Sequence, residues 1–224
     1  MTNFYMRNRP YILGMTAGVV IIYLFASLVI EKRLQDMRVY LDSQIISETK
    51  VLSDLAAITG KGGSNEQADT IVSDCSHENR TKYESLLSSL DSGLAINDLK
   101  SLEILFNSCG YVFSSRRSSM AMQLEREYKT LEQLFLQRSL LGDYDEKNTI
   151  LSKWKELVDN EMIISNHFRS LVKIQKQIID AVISGKTIDS DEVVKLRTEA
   201  KEINDKMVLV TELSSVMRST LITP

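Results

Sequence analysis

Proline is almost missing from this chain: 224 residues contain 2, Pro10 and Pro224, and no proline interrupts a helix between them. Glycine is also sparse at 9 residues. β-Sandwiches, barrels and α/β folds of this length need many more turn residues, so the composition points to an all-α fold of long helices. Histidine is as scarce as proline. With His77 and His167 as the only imidazoles, acid–base catalysis at neutral pH has few candidates. Two cysteines and two histidines also lack the close ligand pairing of a zinc site. There is no pair of Glu-x-x-His motifs, no phosphate loop and no Ser-His-Asp arrangement. The sequence therefore predicts no enzyme: no catalytic or cofactor-binding residue, no metal ligand and no small-molecule substrate. A formal net charge of −3, carried by a still more acidic region after residue 33, argues against nucleic acid, whose phosphates need clustered positive charge.

What the chain does contain begins with an uncharged run from Tyr11 to Ile30. Twenty helical residues rise ~30 Å, the thickness of a bilayer's hydrocarbon core, so the run reads as a retained transmembrane helix after a short cytoplasmic segment, residues 1–10. Within it, Gly14 and Gly18 form a GxxxG spacing suited to a contact between membrane helices. Apolar residues continue at helical spacing from Leu34 to Ile58, which extends this helix as an amphipathic stalk over 31–58. Glycines in TGKGGS then end it, and Ser64 with Gln67 has the spacing of a capping box.

The remaining periodicity places a helical bundle over 65–221, with helices at about 65–90, 97–141, 145–184 and 190–221. The third-helix stripe runs through Leu102, Phe106, Cys109, Val112, Phe113, Met120 and Leu124, with a bend at Gly110. Trp154 and Phe168 share the stripe of the fourth. The expected architecture is a single membrane helix continuing into an elongated antiparallel bundle of four to five long helices. If every short connection reverses the chain, the turns near 91–97 and 185–189 lie near the membrane and the 142–145 turn at the far tip.

Cys75 and Cys109 stand at equal distances from the 91–97 turn on two apolar stripes, and this is bridging geometry for an antiparallel pair. A disulfide there implies an oxidising compartment, and hence an amino terminus in the cytoplasm with the bulk of the chain periplasmic or extracellular. Arg116 and Arg117 interrupt the third helix's stripe at a height shared with Glu48 and Asp205, which suggests a polar layer of these four. The sequon at Asn79 falls inside the 65–90 helix, where a glycan would clash with packing.

The expected function is that of a membrane-anchored extracytoplasmic helical scaffold or adaptor, a structural subunit of a membrane-associated complex. Its expected partners are the membrane, other protein subunits and a second copy of itself. The alternative is a ligand-sensing extracytoplasmic helical domain.

Overall fold

The computed structural model describes residues 2–60, 75–90, 94–142 and 148–222; within its helices the side chains of residues 2–14, 16, 17, 60, 77, 96 and 148 are outside that description. All of its regular structure is helical: α1 (Thr2–Gly60), α2 (His77–Ser89), α3 (Ile96–Leu105), a π-helical turn (Phe106–Gly110), α4 (Tyr111–Ser139), α5 (Asn148–Ile183) and α6 (Asp191–Ile222). Because α3 passes through the π turn into α4 without a break, these three form one helix, and the helical bundle expected from the proline-poor sequence is present. The capping box at Ser64 and Gln67, and the part of the 65–90 helix before Cys75, lie outside the described residues.

The membrane-span expectation is corrected. Among the described residues no helix is long and apolar enough to cross a membrane. From Glu31 onward α1 carries Glu31, Lys32, Arg33, Asp36 and Arg38, so its apolar stretch does not continue in that direction. A single-pass protein with a cytoplasmic amino terminus and a periplasmic or extracellular bulk is therefore not what the structure supports.

The chain divides into two compact units. In the unit formed by Met1–Ser47 and Gln133–Asp145, α1 and the end of α4 run antiparallel. Arg38 Nε donates to Leu141 O at 3.0 Å, and Arg138 Nε pairs with Asp42 Oδ1 at 3.0 Å. Leu41, Ile45 and Phe135 are its buried apolar residues. The turn after α4 thus lies beside the residues that follow the apolar run of α1, whereas the layout from short reversals put it at the far tip. Antiparallel packing of sequence neighbours does not describe this return, in which the end of α4 meets α1 at Arg38 and Asp42.

In the second unit, Glu48–Glu132 with Glu146–Pro224, the core gathers α2, α3, the π turn, α5 and the start of α6 around Tyr83, Leu102, Phe106, Ile179 and Val193. Gly185 ends α5 with φ +91°, while Gly185 N bonds Val182 O and Lys186 N bonds Ala181 O. This closing pattern satisfies the last carbonyls and needs a left-handed residue at that position, so glycine stands there.

Candidate functional site

Two places in the second unit bring buried polar or aromatic chemistry together. The first is the π turn. Tyr111 N–H bonds Phe106 O, five residues back, which inserts one extra residue into the helix. The phenyl ring of Phe106 packs edge-on against Tyr83 and Tyr111, with centroids at 6.0 and 5.4 Å. A Cβ on Gly110 would lie 3.1 Å from the Tyr83 hydroxyl, so the close approach of that tyrosine is open because residue 110 has no side chain. Burial pushes the Tyr83 phenol up to about 12, with the charge of Glu84 adding to it.

Beside this turn Cys75 and Cys109 are joined by a disulfide, with their Cα atoms 5.1 Å apart. Their pairing agrees with the expectation from spacing. Cys75 directly precedes Ser76, whose side chain caps α2 by accepting from Asn79 N–H at 3.2 Å. Asn79 therefore occupies the first turn of α2 and not the middle of a helix.

The second place is a buried ion triad. Glu161 on α5 is 2% exposed, accepts from Arg218 Nη2 on α6 and lies 3.6 Å from Arg117 Nη2 on α4. The Nε atoms of Arg117 and Arg218 are buried without a hydrogen-bond partner. Burial lowers the Arg117 guanidinium from its ordinary range; Glu161 opposes that shift and the like charge of Arg218 adds to it. One carboxylate thus serves two cations, leaving an excess positive charge beneath the surface. Nearby on the same two helices, Arg169 on α5 donates to Ser118 on α4. Planar guanidinium groups with free donors are suited to binding carboxylates or phosphates, and here the protein itself supplies the carboxylate.

Of the expected layer of Glu48, Arg116, Arg117 and Asp205, one member stands here. Arg117 alone enters the triad. Glu48 meets Glu127 on α4: burial, then a hydrogen bond to Glu127 and its charge, raise the Glu48 carboxyl above the ordinary value. Asp205 is exposed on α6, and Arg116 is half-buried on α4 outside the triad. A signal for Glu161 was present, because it stands seven residues after Trp154 and seven before Phe168, on the apolar stripe itself. Of the membrane-contact pair, Gly14 lies outside the described residues. A Cβ on Gly18 would meet nothing within 4 Å among the described residues, so no close helix approach among them requires it.

Among the described residues no group of three His, Cys, Asp or Glu side chains could hold a metal ion. Comparison with protein families, curated proteins and solved structures finds no match to this chain.

Proposed function

We propose that the chain is a structural subunit, a helical scaffold or adaptor whose apolar surface is covered by other protein subunits. The observation that supports this reading is the large apolar surface left open. Every large apolar side chain from Val19 to Ile30 is exposed, as are Leu136 on α4, Leu140 just after it, and Leu209 and Val216 on α6. A helix that is apolar all round is stable where apolar atoms surround it, and contiguous patches of this kind mark interaction sites.

Native purification with mild crosslinking, followed by mass spectrometry, tests the proposal. A reproducible set of subunits crosslinked through 19–30 is the expected result. A monomer retaining a small molecule would overturn it in favour of a ligand-sensing domain, and recovery with lipid alone would overturn it too.

A further inference from the structure

Helix α6 is 32 residues long, yet its buried residues are only Val193 and Ser214. Its inner side, marked by Val193, Met207 and Ser214, packs as an amphipathic helix should. The opposite side is also apolar in its second half: Leu209, Leu213 and Val216 recur at i, i+4 and i+7 and are 60, 51 and 64% exposed. Asp205 and Glu212 stand on that same exposed side. A helix with two apolar sides and one packed against its own chain is half of an interface.

The first half of α6 borders a groove of about 560 Å³ floored by Leu90, Leu171 and Ile178. Among the described residues lining it, both charged side chains are basic, Arg197 and Lys201. From Val194 to Asn204 it follows α6 for ~15 Å, three turns of helix, which is the length of an i, i+4, i+7 stripe. The helix thus carries an apolar stripe bordered by Asp205, Lys206 and Glu212 and an apolar groove bordered by Arg197 and Lys201 in succession.

We propose that α6 pairs antiparallel with α6 of a second copy, each copy's Leu209, Leu213 and Val216 closing the other's groove. Laying 209–216 over 197–204 sets Glu212 of one copy against Lys201 of the other. The same pairing repeats at the far end, because stripe and groove lie on one helix. A contact in which the same patch serves both copies is isologous and closes at two, so α6 itself leaves no uncovered stripe to propagate a chain. Opposite charge at the rim fixes the register, while the leucines supply the desolvated centre. The inference deepens the scaffold reading and rests on it for the role of the dimer. It is tested on the purified chain alone, so its failure is distinguishable from an absence of other subunits.

Sedimentation equilibrium of the full chain is expected to show a dimer at micromolar concentration. Leu213→Glu should weaken it by roughly 30-fold or more with an unchanged helical circular dichroism spectrum. Glu212→Lys and Lys201→Glu should each weaken it, and the two together in one chain should restore it, since a two-fold dimer then regains both pairs with reversed sign. A monomeric parent, oligomers that grow beyond two, a dimer indifferent to Leu213→Glu, or a double variant weaker than either single one would each overturn the proposal.

Discussion

Glu161 holds one negative charge between two guanidinium groups, and the three residues are not equivalent. Removing the carboxylate leaves Arg117 and Arg218 facing each other below the surface, whereas removing either arginine leaves a one-to-one pair. Breaking a buried ion pair by deleting a partner costs about 3 to 5 kcal/mol. We expect Glu161→Gln to lose about that much stability in urea unfolding and Arg117→Met clearly less, because Arg117 is also the more exposed of the two arginines. Equal losses would mean that the triad does not act as a unit. The pair of Glu48 and Glu127 carries a pH signature. With its carboxyl raised by burial first and by Glu127 second, the folded chain holds the Glu48 proton more tightly than the unfolded chain does. That contribution is fully present below the unfolded value and is lost as pH rises through the higher folded value. Glu48→Gln keeps a neutral side chain throughout, so its melting temperature should equal the parent's at about pH 4 and exceed it at about pH 7. Parallel melting curves for the two proteins would contradict the assignment.

At the scale of the element, the continuous helix from Ile96 to Ser139 shows how one inserted residue redirects a side of a helix. Before the π turn the buried residues are Leu99, Leu102 and Leu105, as the periodicity predicts. After it, an uninterrupted 3.6-residue period would bury Val112 and Phe113, and Met120 further on. The structure instead buries Ser114, Ser118 and Ala121 before returning to Leu124, Tyr128 and Leu131. The polar Ser114 and Ser118 in the core are what that shift leaves, and the guanidinium of Arg80 lies over the displaced Phe113 ring at 5.5 Å. The disulfide anchors the start of α2 to this same turn across a sequence separation of 34. Closing a loop of that length restricts the unfolded chain by about 3 to 4 kcal/mol in the chain-entropy model. The variant Cys75→Ala/Cys109→Ala should therefore melt roughly 6 to 16 °C below the parent, and the reduced parent should fall similarly. A variant that melts with the oxidised parent would show that the staple adds nothing to this core.

At the scale of the whole molecule, the all-helical class, the helix ends near 89, 139, 183 and 222, the burial of Trp154 and the partnership of Cys75 with Cys109 were all legible from local pattern. Each depends on residues near in sequence or on one hairpin: periodicity marks an apolar side, glycine marks a stop, and equal spacing about a turn marks facing positions. Phe168 was legible only in part, for it packs against the core while remaining half-buried. The path of the chain was not legible, because what the end of α4 meets is set by packing between residues far apart in sequence, Arg138 with Asp42 and Arg38 with Leu141. Nor was the ion triad, although Glu161 stood on an apolar stripe in plain view. The sequence by itself determined which segments are helical and which side of each is apolar, since those properties follow from backbone periodicity. Tertiary structure alone decided that Glu161 would meet Arg117 and Arg218 and that a π turn would place serines in the core, because long-range pairing depends on helix rotation and crossing, which no local period specifies.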